Sequence, residues 1–298
     1  MKGMPDADAA TCPATFTIDV RRFACPFTQP PAMTDTTPSS SASAASNRPA
    51  PVVLVTGAAQ RIGREIALYF ARQGWRVAVH YGRSADAARE TASACTALGQ
   101  PAYPLQADLG DERQTRQLVA ACLSHFGQLD CIVNNASVFE YDNAADFRYD
   151  HLARHMASNA AAPIALARTL HASMPESARA AIINLLDQKL YNPNPDYLSY
   201  TLSKAALHEA TRLLAQALAP RLRVNAVAPG LTLISDTQTP ENFEHQHTAM
   251  PLGRGAEPAD IAAAVHFLAT ATAITGVTLC VDGGQHLQPS ARDVMFQN

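Results

Sequence analysis

Pro51-Val52-Val53-Leu54-Val55-Thr56-Gly57-Ala58-Ala59-Gln60-Arg61-Ile62-Gly63 is the stretch that decides the fold. Its first five residues form a continuous apolar run of strand length. Beyond the glycine turn, Ile62, Ile66, Ala67, Phe70 and Ala71 recur at helical spacing. Strand, glycine turn and helix in that order are the context in which a glycine motif carries meaning. Gly57 permits the tight turn, and Gly63 lets the helix pack close to the strand. The first turn of the helix then offers backbone N–H groups to a pyrophosphate. A plain strand-to-helix turn is the alternative, and the rest of the chain separates the two.

A second apolar strand, Trp75 to Tyr81, runs into Gly82-Arg83-Ser84. An acid at this strand end would hold a ribose 2′-hydroxyl, whereas a base would accept a 2′-phosphate. The first acid here is Asp86, already in the next helix, while Arg83 offers a bidentate fork and Ser84 a hydroxyl. Arg61 reaches toward the same phosphate. The reading is NADP. A helix from about residue 84 to 98 leads to a third strand, Ala102 to Gln106, and then to Ala107-Asp108-Leu109. Asp108 either binds an adenine edge or caps the helix that begins near Asp111. The next strand, Asp130 to Val133, ends in Asn134-Asn135-Ala136-Ser137. Apolar strands alternating with helices predict an α/β fold, a doubly wound parallel sheet with helices on both faces. Ligands of such sheets sit at the C-terminal strand ends, where the glycine turn, Asp108 and Asn134-Asn135 all fall.

The second half carries the chemistry. A helical segment over about 144–173, kinked near Pro163, holds Asn159 among small residues. His151 and His155, four apart with no third ligand in view, read as solvated or at a subunit contact, and no metal site is expected. The strand Ala180 to Leu185 is closed by Asp187, and a turn-rich link leads to the helix bearing Tyr200 and Lys204. Residues four apart share a helix face. A lysine charge there pulls a phenol pKa of about 10 toward the working range, giving a general acid with its tuning group. A further strand, Arg223 to Ala228, ends at Pro229-Gly230. The polar stretch 231–250 reads as an irregular lid. A helix over about 257–270 and a strand, Val277 to Val281, lead to Asp282-Gly283-Gly284.

Composition narrows the classes. A net charge of −3 gives no footing for nucleic acid or an anionic membrane, and no apolar run approaches the roughly 20 residues of a membrane span. Six scattered cysteines without a paired motif read as reduced thiols of a cytoplasmic protein. Residues 1–50, rich in Ser, Thr, Ala and Pro, read as a disordered extension, and Asp6, Asp8 and Asp19 interrupt any signal-peptide core. Met33 offers an internal start. Residues 51–298 then form the folded, NADP-binding domain.

The Thr56–Gly63 turn, Asp108, Asn134-Asn135-Ala136, Asn159, Tyr200-x3-Lys204, Pro229-Gly230 and Asp282-Gly283-Gly284 together resemble the short-chain dehydrogenase/reductase family. The resemblance spans about residues 51–287. It implies a single Rossmann-like domain and usually a homotetramer. It also implies that Lys204 contacts the nicotinamide ribose and that Asn159 holds a proton-relay water. Cofactor contacts would fall on Gly57, Arg61, Ile62, Gly63, Tyr81, Arg83, Ser84, Asp108, Leu109, Asn135, Ala136, Ser137, Tyr200, Lys204, Pro229 and Gly230.

Two departures refine the match. Arg61 stands where the family's turn usually has a glycine, and Asp187 stands where the usual serine lies, thirteen residues before Tyr200. With Arg83-Ser84 and the run Asn134 to Phe139, they resemble the pteridine reductase branch, which includes bacterial dihydromonapterin reductases and alternative dihydrofolate reductases. A pterin is a flat ring with several N–H donors. Phe139 would stack on one face, and a carboxylate at 187 accepts ring N–H bonds better than serine. The substrate contacts expected are Arg61, Ser137, Phe139, Asp187 and Tyr200. Asp187, Tyr200, Lys204 and Asn159 are the expected catalytic set. Reduction of another carbonyl, such as a 3-oxoacyl thioester or a sugar ketone, is the second reading. A non-catalytic NADP-binding protein is the third.

Overall fold

The computed structural model describes residues 49–235 and 238–297. The reading of residues 1–48 as a disordered extension, with Met33 as an internal start, lies outside the described residues, as do Cys12 and Cys25. The first half comprises β1 (Val52–Val55), α1 (Arg61–Arg72), β2 (Arg76–Tyr81), α2 (Ala85–Ala97), β3 (Ala102–Gln106), α3 (Glu112–Phe126) and β4 (Cys131–Asn134). The second half comprises α4 (Tyr149–Met156), α5 (Ala162–Ser173), β5 (Ala180–Leu185), α6 (Leu198–Leu218), β6 (Leu222–Pro229), α7 (Pro240–Thr248), α8 (Pro258–Thr270) and β7 (Thr278–Val281).

The strands pair in parallel in the order β3-β2-β1-β4-β5-β6-β7. Side chains alternate across this sheet, and both faces are covered. Val53 and Val55 pack with Ile66 and Phe70 of α1 and Val265 and Leu268 of α8. Val52 and Leu54 pack with Leu118 of α3 and Leu166 and Leu170 of α5. Burial on both sides is why the strands read as unbroken apolar runs. Each such side chain contributes about 1.5–3 kcal/mol, and a polar group within a strand is bonded, as Asn225 of β6 is to Ile274 O and Val277 N. The strand order turns back between β1 and β4, which opens a crevice there at the C-terminal edge.

Three expectations are corrected. The helix expected from residue 144 begins at Tyr149, because Asn143 and Asp146 spend their side chains on local backbone N–H groups, Ala145 N and Asn143 N. The bend near Pro163 is a wide π turn, Ala157–Ala161, just before α5, and Asn159 sits in it. The stretch 231–250 is not irregular throughout. Thr239 caps α7 by accepting from Asn242 N, and Pro240 occupies the first turn. No described helix is long and apolar enough to cross a membrane.

Candidate active site

The glycine turn is held from three sides. Gly57 has φ +62°, and a Cβ on Gly63 would lie 2.2 Å from the Gly57 carbonyl oxygen, so only hydrogen fits there. Thr56 Oγ1 accepts from Asn135 N and Ala136 N, both at 3.0 Å. Asn135 Nδ2 donates back to Thr56 O at 2.9 Å. These bonds lock the end of β1 to the end of β4. The third side is His80, which the sequence reading did not single out. Its Nδ1 accepts from Gly57 N at 3.1 Å, and its Nε2 lies 3.1 Å from Ala107 O. Burial lowers the imidazole pKa to about 4, so the ring is neutral, with Nε2–H donating to Ala107.

A cleft of about 370 Å3 lies over this turn. Gly57, Ile62 and Gly63 line it with Tyr81, Ser84 and Asn135 to Ser137. Arg83 is exposed beside it, and its guanidinium has no partner among the described residues. Arg61 lines it too, at φ +55°. A side chain in this left-handed conformation costs about 1–3 kcal/mol and persists only where neighbours enforce it. Here Arg61 Nη2 donates to Ile234 O at 3.0 Å, joining the turn to the loop after β6. Asp108 is exposed and accepts from Gly110 N, while Asp111 is the residue that caps α3. Leu109 does not reach the cleft. It lines a separate cavity of about 430 Å3 between α3 and α5, to which none of the candidate catalytic groups contributes.

The proton-handling groups meet at the ends of β5 and α6. Tyr200 donates its hydroxyl to Asp187 Oδ2 at 2.7 Å, and Asp187 Oδ1 accepts from Lys189 N at 2.8 Å. Asp187 keeps an opening onto the second cleft, yet burial raises its pKa, aided by the Asp293 charge and opposed by its hydrogen bonds and by Lys204. Lys204 is 3% exposed, and burial lowers it from 10.5 to about 8. The expected lowering of Tyr200 by Lys204 is overturned. Burial pushes the phenol well above 10, and the Asp187 charge adds to this. Lys204 Nζ is turned to Leu185 O at 2.7 Å and lies 5.6 Å from the Tyr200 ring centre. Tyr200 is therefore held as a protonated donor.

Asn159 is committed on both sides. Its Oδ1 accepts from Val138 N at 2.7 Å, and its Nδ2 donates to Val138 O and Ser203 Oγ. It fixes the Val138–Phe139 loop against α6. Phe139, 44% exposed, stacks on Tyr197 at 4.3 Å and meets the Tyr200 ring edge-on at 4.7 Å. One face of Phe139 thus belongs to Tyr197, which itself sits at φ +57° before α6. Phe139, Asp187, Tyr200, Arg61, Ile62 and Gly230 line the second cleft, of about 150 Å3. Ser137 lines only the first, and Pro229 lines neither but ends β6.

His155 is buried rather than solvated, and His151 is mostly buried beside two carboxylates. His155 is fully buried and accepts from Glu140 N at 3.3 Å. His151 lies 3.0 Å from Glu140 Oε2 and 3.2 Å from Asp142 Oδ2. Asp142, also absent from the sequence reading, accepts from Ser199 N at 2.9 Å and so caps α6. The two histidines read as solvated because their partners lie on a loop that only folding brings beneath α4.

A family model described as enoyl-(acyl carrier protein) reductase matches residues 57–286. The chain belongs to the short-chain dehydrogenase/reductase family. A solved structure of FolM alternative dihydrofolate reductase 1 from Brucella canis, complexed with NADP, is 40% identical. That match covers 80% of this chain and 95% of the other, with a TM-score of 0.75. The Brucella suis FolM structure, also in complex with NADP, is 39% identical over 80% and 96% of the two chains, with a TM-score of 0.74. The 3-oxoacyl-(acyl-carrier-protein) reductase FabG of Staphylococcus aureus is 33% identical over 78% of this chain and 97% of its own length. The chain is thus an oxidoreductase of this family. The glycine turn follows β1, and the helix bearing Tyr200 and Lys204 follows β5 of the same parallel sheet.

Proposed function

We propose that the chain reduces the ring C=N bond of a dihydropterin, such as dihydromonapterin or dihydrobiopterin, and extends to dihydrofolate, with NADPH as cofactor. The observation that carries this is the partly buried Asp187 carboxyl bonded to the Tyr200 hydroxyl in a pocket also lined by Phe139 and Arg61. The close likeness to FolM structures holding NADP supports it.

The glycine cradle fits a dinucleotide. Gly57 holds a positive φ, Gly63 leaves no room for a Cβ, and the N-terminus of α1 has no acidic residue in its first turn to compete with a phosphate. Arg83 and Ser84 would take a 2′-phosphate. NADPH bound there supplies the hydride. Tyr200 gives its proton to the ring nitrogen, and its raised pKa keeps that proton available at neutral pH. Asp187 accepts from that hydroxyl at 2.7 Å and so orients the donor before transfer. Lys204 stabilises the phenolate as it forms. The open face of Phe139 packs on the flat ring. A cytoplasmic homotetramer, with its reductase domain in residues 51–298, is part of the same proposal.

Similarity to FabG favours a second reading, reduction of a ketone. A ketone oxygen requires a donor where Asp187 presents an acceptor. An Asp187→Ser variant tests the two. Loss of dihydropterin turnover by about 10²-fold, the scale of one general acid–base group, with gain of ketone turnover supports the pterin reading. Undiminished pterin turnover in that variant refutes it.

A further inference from the structure

The chain after β7 returns across the mouth of the second cleft. Asp293, Val294 and Met295 line that cleft beside Asp187 and Tyr200. None of the three lines the glycine cleft. Four anchors hold the segment. Lys189 Nζ meets Asp293 Oδ2 at 3.0 Å. Asp196 Oδ2 accepts from Arg292 Nε and from Asp293 N, both at 2.8 Å. Tyr197 donates its hydroxyl to Met295 Sδ at 3.3 Å, and Phe296 packs on Tyr141 and Tyr197. Asn242 of α7 donates to Gln297 O at 2.6 Å.

Lys189 ties this segment to the proton-handling groups. Its backbone N–H donates to Asp187 Oδ1, while its side chain, 3% exposed, holds Asp293. A buried ammonium is costly unless paired, so Asp293 is fixed where it stands. The cleft it helps enclose, about 150 Å3, falls below the roughly 300 Å3 at which ordinary ligand pockets begin.

We propose that residues 290–297 are a strap forming the outer wall of the substrate site, latched by Lys189–Asp293. The strap makes the site select compact ring substrates with short side chains over the same ring with a long tail. Tail length thereby becomes the specificity variable of the pteridine reading, on which this inference rests. Dihydrofolate enters only as the strap gives way, whereas a dihydropterin with a short polyol chain fits beneath it.

The test compares the full chain with a variant ending at Pro289 and with Asp293→Asn, which keeps the side-chain shape if the truncation does not fold. Steady-state kinetics are measured with a short-chain dihydropterin and with dihydrofolate, and NADPH binding is followed by fluorescence. The expected result is a fall of about tenfold, or about 1.4 kcal/mol, in the kcat/KM preference for the short-chain substrate. The fall comes through KM, with NADPH affinity unchanged. An unchanged preference in a folded variant overturns the proposal, as does a parallel loss of NADPH affinity. Wild-type turnover of ketones alone would remove the pterin reading. The strap would then be decided by the same comparison between a short 3-oxo ester and a long 3-oxoacyl thioester.

Discussion

Replacing Lys204 with methionine should stabilise the protein at neutral pH while ending catalysis. Burial lowers this ammonium from 10.5 to about 8. At about 1.4 kcal/mol per pH unit, keeping it charged in the folded protein costs about 3 kcal/mol. The variant also loses the bond from Nζ to Leu185 O, a net contribution of about 1 kcal/mol. The balance is a gain of about 2 kcal/mol, or roughly 4–8 °C in Tm for a domain of this size. The folded pKa lies below the unfolded one, so the penalty is full below pH 8 and shrinks as pH rises toward 10.5. Thermal unfolding of both proteins at pH 7 and at pH 10.5 measures this. The variant should melt higher at pH 7, and its advantage should vanish at pH 10.5. A difference of the same size at both pH values, or a variant less stable at pH 7, would rule out a burial penalty on Lys204.

Other outcomes follow from the same geometry. Tyr200→Phe should lower kcat by about 10²–10⁴-fold and leave NADPH affinity intact, as read by single-turnover kinetics and fluorescence titration. Arg83→Glu should weaken NADPH by roughly 10–100-fold, the worth of about 1.5–3 kcal/mol for a charge-assisted bond, and leave NADH little affected. His80 has a folded pKa of about 4 against 6.5. The stability it confers is therefore held above pH 6.5 and lost as pH falls toward 4, at a cost of about 3 kcal/mol. His80→Asn should flatten that acid slope in chemical denaturation while raising the Kd for NADPH.

Much of this architecture is legible in the chain because it is written locally. Apolar strand, Gly57–Gly63 turn and helix follow one another directly in the chain, and the 3.6-residue period alone puts Tyr200 and Lys204 on one face. Asp187 stood out as a departure from a pattern, and the structure places it 2.7 Å from Tyr200. The residues missed are those whose roles depend on distant neighbours. His80 acts only because β1 and the end of β3 flank β2. Asp142 caps a helix 57 positions away, and Lys189 meets Asp293 across 104. The direction of the Tyr200 shift was misread because spacing reports proximity to Lys204 but not burial, which outweighs it here. The start of α7 was different, since Thr239-Pro240 is a local cap signal that polar composition masked.

The Asp187–Tyr200 pair marks a pterin-reducing site in the proposed function. NADPH oxidation by the purified wild-type chain, measured side by side with a dihydropterin and with a 3-oxoacyl thioester, tests it most directly. Faster turnover of the dihydropterin is the result predicted. Efficient turnover of the thioester with none of the pterin would contradict it.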